Sequence, residues 1–132
     1  MKLLIYIAIT LISLSSFAQQ KMDTTLLAAD AKQAYLKIEG YRQRVLKGES
    51  MATIATLYTE DPGSVKTGGR YDNVARGMFV PEFEAAAFAL KPGEISEVFE
   101  TTYGFHFVQL VARSGDVISV RHILITTKTN GK

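Results

Sequence analysis

Residues 103–125 read YGFHFVQLVARSGDVISVRHILI, and the pairing of the two halves of this stretch decides the fold. Two apolar runs, 105–112 and 117–125, are rich in Val, Ile and Phe and flank a short polar connection, the pattern of two antiparallel strands joined by a tight turn. A three-residue loop, Arg113-Ser114-Gly115, with Gly115 in the left-handed conformation, sets Leu110 opposite Ile118, Val108 opposite Val120 and His106 opposite His122. One face is then apolar throughout and carries two histidines side by side. A two-residue loop moves the register by one, setting Leu110 against Ser119 and Val108 against Arg121. That mixes polar and apolar residues on both faces, so burial favours the longer loop.

Upstream of this hairpin the chain predicts a further strand over 95–101, with Tyr103-Gly104 as its connection to the next. Before that the periodicity is helical. Leu27, Ala31, Ala34, Tyr35, Ile38 and Val45 recur at three- and four-residue steps, with Asp23 or Thr24 as the cap and Gly48 as the stop. A second, shorter helix follows Ser50, with Met51, Ile54, Ala55 and Tyr58 on its inner face, and Asp61-Pro62-Gly63 breaks it. Residues 61–77 read as a loop. A third helix opens at Pro81, with Glu82 and Glu84 in its first turn and Phe83, Ala86, Ala87 and Leu90 as its buried stripe; Lys91-Pro92-Gly93 ends it. Helices first and antiparallel strands last make an α+β domain.

The chain has 132 residues and no cysteine, enough for one core and without disulfides or thiol chemistry. Lys2, the apolar run Leu3 to Leu14 and Ser16-Phe17-Ala18 have the layout of a cleavable export signal, with processing expected between Ala18 and Gln19. The apolar run is shorter than the ~20 residues of a spanning helix, so no stable membrane anchor is expected after cleavage. Cleavage removes Lys2 from a chain with 15 basic and 13 acidic side chains, leaving a formal charge of +1 that points to no nucleic-acid partner. The loop from Gly63 to Gly69 ends in Gly-Gly-Arg rather than the Gly-Lys-Ser/Thr of a phosphate loop, and no apolar strand precedes it. Two histidines without cysteine form at most part of a metal site, and no cofactor is implied.

Six blocks occur in order: Lys47-Gly48-Glu49-Ser50-Met51, Tyr58-Thr59-Glu60-Asp61-Pro62, Gly68-Gly69, Pro81-Glu82-Phe83-Glu84, Lys91-Pro92-Gly93-Glu94-Ile95-Ser96 and Thr101-Thr102-Tyr103-Gly104-Phe105-His106. Together they resemble the parvulin-type peptidyl-prolyl cis/trans isomerases, or rotamases, and are similar to exported tandem-parvulin foldases and chaperones. The resemblance spans about Thr25 to Ala112. It implies a parvulin-like α+β fold, a small antiparallel four-stranded sheet flanked by three to four helices. Parvulins open with a strand ending in a His-Ile-Leu-type motif; here the signal occupies that place, and the motif stands instead at His122-Ile123-Leu124. Either strand 117–125 folds back to replace the missing first strand, or it begins a second parvulin domain. The organisation is therefore a signal peptide over 1–18, a parvulin-like domain over 19–112 lacking its first strand, a hairpin and His-Ile-Leu strand over 113–125, and a disordered tail over 126–132.

The same resemblance implies site residues. His106, Asp61, Thr101 and, as substitute for the missing first-strand histidine, His122 correspond to the polar catalytic group, Asp61 with one inserted residue in the alignment. Tyr71, Phe79, Phe83 and Tyr103 correspond to the substrate-binding surface, with Tyr71 where a leucine is more usual. Each has a plainer reading. Phe83 on its helix is ordinary core, Phe79 an exposed loop aromatic, a lone inward histidine structural, Asp61 a turn former before Pro62, and Tyr103 a cap on the strand turn. The implied function is cis/trans isomerisation of Xaa-Pro bonds in unfolded, extended, proline-containing polypeptides, among them outer-membrane or secreted clients, in the periplasm or outside the cell. The alternatives are a non-catalytic periplasmic peptide-binding chaperone module and a fragment of a tandem-parvulin foldase.

Overall fold

The computed structural model describes residues 2–128, with side chains from residue 14 onward. Four β-strands form one antiparallel sheet in the order β1-β4-β3-β2, with β1 at Arg70–Ala75, β2 at Phe99–Thr101, β3 at Gly104–Ser114 and β4 at Val117–Ile125. The strand at 117–125 is therefore an inner strand, hydrogen-bonded to β1 on one side and β3 on the other. Helices α1 (Lys2–Leu46) and α2 (Met51–Tyr58) cover one face of the sheet, and α3 (Pro81–Phe88) covers the other.

Strand alternation divides the core. Phe107, Ile123 and Ile125 point to Ala34, Ile38 and Val45 of α1 and to Met51, Ile54 and Ala55 of α2. Val108, Leu110, Ile118 and Val120 point the other way, to Phe83, Ala87 and Phe88 of α3. Phe107 and Ile123 face each other across the two strands, both fully buried. Because β3 and β4 are covered on both faces, nearly every residue of 104–110 and 118–125 is apolar or at least half-buried.

The hairpin register differs from the expected one. The turn has two residues, Gly115 (φ 60°) and Asp116, with Ser114 opposite Val117, and a bulge between Leu110 and Ala112 inserts one extra residue. Turn and bulge together restore the parity that a two-residue turn alone would lose. Leu110 lies opposite Val120, Val108 opposite His122, and His106 opposite Leu124. The shift is two residues, so every side chain keeps the face expected of it, and the two histidines are diagonal rather than directly opposed.

Five other expectations need correction. Asp23 and Thr24 do not cap α1, which runs through them. Thr24 and Thr25 turn their hydroxyls back onto the carbonyls of Gln20 and Lys21 (2.9 Å each), and Asp23 accepts from Gln19 Nε2 (3.1 Å), so these groups are satisfied inside the helix. Leu27 and Tyr35 are 41% and 43% exposed; the buried stripe is Ala34, Ile38, Arg42 and Val45, and the helix N-terminal to it extends past the sheet. Arg42 enters that stripe because its Nε donates to Ser96 O (2.7 Å) while Glu39 and Glu97 pair with its other nitrogens. Residues 61–77 are not all loop. They hold a 3-10 turn, Val65–Thr67, and strand β1, whose apolar alternation is broken by a register irregularity and by Asn73 at φ 56°.

The third predicted strand is shorter than 95–101: only Phe99–Thr101 is a strand, and Ile95 forms a single bridge to Gln109. At the other end, residues 126–128 are held rather than loose. Thr126 Oγ1 donates to Glu60 Oε1 (2.9 Å), Thr127 is buried, and Lys128 N donates to Asp30 Oδ2 (2.7 Å). The rest of the expected tail lies outside the described residues.

Candidate functional site

Ser50 caps α2 by accepting from Thr53 N (3.3 Å), and the helix stops at Thr59, before Asp61-Pro62-Gly63 turns the chain. Asp61 Oδ1 accepts the N–H of Gly63 (3.0 Å), so Asp61 is the turn former its position before proline suggests. Its second oxygen does something else. Oδ2 accepts from Ser64 Oγ (2.6 Å), Tyr71 Oη (2.8 Å) and His122 Nε2 (2.8 Å). Burial acts to raise the pKa of Asp61, but the hydrogen bonds from His122, Ser64, Tyr71 and the Gly63 N–H outweigh it and hold the carboxyl well below the usual carboxylate range. Tyr71, half-buried and bonded to that anion, is pushed up to about 12, by burial first and then by Asp61.

From Asp61 a chain of polar contacts crosses the sheet. His122 Nδ1 lies 3.4 Å from His106 Nδ1, and His106 Nε2 lies 2.7 Å from Thr101 Oγ1, which also accepts from Tyr103 N (3.1 Å). Both histidines are 4% exposed. Burial first, then the adjacent His122, push the His106 pKa down to about 3, against a smaller upward pull from Asp61. The direction of the hydrogens follows from the ends. A carboxylate only accepts, so His122 carries a proton on Nε2. In its neutral form His122 then accepts at Nδ1 from His106 Nδ1–H, and His106 Nε2 accepts from Thr101 Oγ1–H.

Aromatic rings form the second half of the site. Phe83, 2% exposed, sets its edge or face near both histidines, with ring centroids 5.9 Å from His106 and 5.3 Å from His122. Phe79 stacks on Phe83 (4.9 Å), and Tyr71 meets Phe79 edge-on (5.1 Å). Together with Tyr103, 57% exposed, these residues, Asp61 and the two histidines line one open cleft of about 560 Å³. Of the eight residues read from the sequence as site candidates, seven line this cleft, and Thr101 stands behind it as the hydrogen-bond partner of His106. Phe83 is thus both core and cleft wall.

Several members of the site were not read from the sequence. Ser64, 1% exposed, joins Asp61 to His122 (3.2 Å from Nε2); Asp61-x-x-Ser64 is a polar turn pattern that carries this signal in retrospect. Phe99 stacks on His106 at 5.3 Å with planes 8° apart, and Met78, Val80 and Leu124 complete the apolar lining. Glycine makes the close packing possible at one point. A Cβ on Gly69 (φ 80°) would run into the backbone oxygen of His122, where Gly69 O accepts from His122 N (2.9 Å). Among the described residues no group of three or more His, Asp or Glu side chains is placed to hold a metal ion.

Asp61 Oδ2, the carboxylate oxygen that joins the histidine row, already accepts three hydrogen bonds. The arrangement offers an aromatic seat beside a largely buried, oriented row of hydrogen-bonding groups, suited to a change of shape in a bound group.

Comparison with known proteins bears on the same stretch. The chain is 38% identical over 85 residues to the chaperone SurA of Nitrosococcus oceani, covering 64% of this chain and 20% of that protein. It is 43% identical over 84 residues to the foldase protein PrsA of Caldanaerobacter subterraneus subsp. tengcongensis, covering 64% and 26%. The crystal structure of the peptidylprolyl isomerase PrsA from Bacillus cereus matches with a TM-score of 0.57 at 35% identity, over 64% of this chain and 31% of that one. The chain thus spans about a quarter or less of the length of these curated relatives. The model of the rotamase family, the PPIC-type PPIase domain, matches residues 17–112, which hold every site residue above except those on β4, and the chain belongs to that family.

Proposed function

We propose that this chain is a peptidyl-prolyl cis/trans isomerase that acts on Xaa-Pro bonds of unfolded exported polypeptides and so assists their folding. The observation that carries the reading is the row Thr101, His106, His122 and Asp61 set against Phe83 and Phe79 in one cleft. Rotation about a prolyl amide meets a barrier of ~18–20 kcal/mol because the C–N bond loses its resonance. The pocket must therefore bind the twisted amide better than either planar form, and each ~1.36 kcal/mol of that preference is about tenfold in rate. Phe83 and Phe79 provide an apolar seat for the proline ring. The histidine row presents fixed dipoles to the altered charge distribution of the twisted amide, with no reorganisation of water. On this reading His106, His122, Thr101 and Asp61 are the catalytic group, Tyr71, Phe79, Phe83 and Tyr103 bind substrate, and β4 stands in for the opening strand of the family.

The export signal belongs to the same proposal: residues 1–18 are removed after Ala18, and the product works in the periplasm or outside the cell on outer-membrane or secreted clients. Among the described residues no helix is long and apolar enough to cross a membrane. Mass spectrometry of material exported from a bacterial host should find an N-terminus at Gln19; an intact Met1 would overturn the signal.

A second reading, a chaperone module that holds extended peptides without catalysis, is favoured by Tyr71, whose ring lies 5.1 Å from Phe79 and 5.6 Å from His122 and takes up room in the cleft. Exchange spectroscopy by NMR on a panel of Xaa-Pro peptides separates the two. Acceleration by the chain, reduced at least about tenfold in His106→Ala, is expected, a loss equivalent to ~1.4 kcal/mol of transition-state preference. Peptide binding with no acceleration establishes the chaperone module instead.

A further inference from the structure

The charged side chains that line the cleft, among the described residues, are all acidic: Asp61 at its base and Glu60 at its lip. Glu60 is exposed yet held in place. Its N–H donates to Leu124 O (2.8 Å) and its Oε1 accepts from Thr126 Oγ1 (2.9 Å), which ties the carboxylate to the edge of β4. No arginine lines the cleft among the described residues, and those on the adjoining segments have partners of their own: Arg44 pairs with Glu49 (2.8 Å), Arg70 with Asp72 (2.9 Å), Arg121 donates to Gly68 O (2.6 Å), and Arg76 lies over the ring of Phe88 (4.1 Å). Beside the acids, Met78 and Tyr103 are 60% and 57% exposed and present a thioether and a ring to whatever enters.

A cleft of about 560 Å³ falls within the ~300–1,000 Å³ of sites that hold whole small ligands, so it admits a proline and a residue beside it. A lysine or arginine in that neighbouring place gains the Glu60 carboxylate and the face of an exposed ring. An aspartate, a glutamate or a phosphorylated side chain meets like charge and finds no cation among the described side chains that line the cleft. We infer that the cleft selects Xaa-Pro segments with a cationic residue flanking the proline and rejects acidic or phosphorylated neighbours, with Glu60 as the specificity-determining residue. This rests on the isomerase reading above for its substrate class.

The test uses the full chain and two sets of peptides that differ only in Leu, Lys, Glu or phosphoserine immediately before or immediately after the proline. At low salt the lysine peptide of at least one set should be turned over about threefold or more faster, in kcat/KM, than its glutamate counterpart. The ratio should fall towards one in Glu60→Gln and in about 0.5 M salt, where exposed charges are screened. Glutamate peptides processed as well as lysine peptides in both sets, or a ratio unchanged in Glu60→Gln, overturn the inference while leaving the isomerase reading intact. If no peptide is accelerated, Leu-Pro included, the isomerase reading falls. The same lysine-to-glutamate ratio, read from peptide affinities in chemical-shift titrations, then decides the inference by the same criterion.

Discussion

Replacing His106 by Asn should remove most of the protein's sensitivity to mild acid. His106 is 4% exposed, and its pKa is pushed down to about 3, whereas a histidine in an unfolded chain titrates near ~6.5. Below ~6.5 the unfolded state therefore binds a proton that the native state refuses, and stability falls as pH drops, levelling off only near the native value. Between pH 7 and pH 4.5 this amounts to a loss of about 2–3 kcal/mol. Asp61 does not confuse the window. Its native pKa is depressed, so its contribution is fully present above the unfolded value of ~3.9 and is lost only as pH falls further. In urea, a loss of about 2–3 kcal/mol moves the unfolding midpoint by about 1–2 M. His106→Asn keeps a side-chain donor towards His122 but loses the stack on Phe99. It should be less stable than the parent at pH 7 and nearly flat from pH 7 to pH 4.5. A parent midpoint that moves by less than about 0.3 M over that range, or a variant that moves as far as the parent, refutes the picture of a histidine buried neutral.

Two further substitutions test the packing around the site. Ser64→Ala removes a 2.6 Å hydrogen bond to the Asp61 carboxylate from a fully buried position, and should destabilise by about 1–3 kcal/mol in urea unfolding; a change below ~0.5 kcal/mol would mean that the hydroxyl holds nothing. Gly69→Ala places a Cβ against the backbone of β4 at a left-handed residue, whereas Gly93→Ala, also left-handed at φ 91°, meets nothing within 4 Å. The second should cost only the ~1–2 kcal/mol of the conformation, and the first clearly more, so equal melting temperatures for the two variants would show that the sheet does not need the close approach.

The parts of the fold that were legible in the sequence are those where one strong pattern acts alone. Ser50 before Met51 and Pro81 at the first turn of α3 each fixed the start of a helix, and the apolar run 117–125 fixed a strand whose observed limits agree, whereas α3 ends at Phe88, short of the expected Leu90. Strand β1 was illegible because Asp72-Asn73 interrupts it, and its place in the sheet comes from pairing with β4 rather than from its own pattern. The start of α1 was misread for a related reason: Asp23, Thr24 and Thr25 have the chemistry of caps, but in a longer helix their side chains find partners one turn away. At the site, resemblance named the residues while the residues alone suggested plainer roles. The plainer role holds for Asp61 Oδ1, which makes the turn, while its other oxygen meets His122. Ser64 and Phe99 escaped because a serine in a loop and a phenylalanine in a strand carry no signal until their neighbours are known.

The two-residue error in register is instructive about how this site is built. Any even shift leaves His106 and His122 on the α3 face of the sheet, so burial alone brings the two rings to the same side, but only the true register decides what lies directly across from each. His106 faces Leu124 and His122 faces Val108, so each imidazole has an apolar residue opposite and meets the other on the diagonal, with ring planes 20° apart. The Val111 bulge and the two-residue turn set that diagonal. The hydrogen-bond direction of the row is left to its two ends, the carboxylate at Asp61 and the hydroxyl at Thr101. A site that must favour one distribution of charge over another needs dipoles that do not turn. In this protein the sheet register, through the residues it sets across from the histidines, is what holds them.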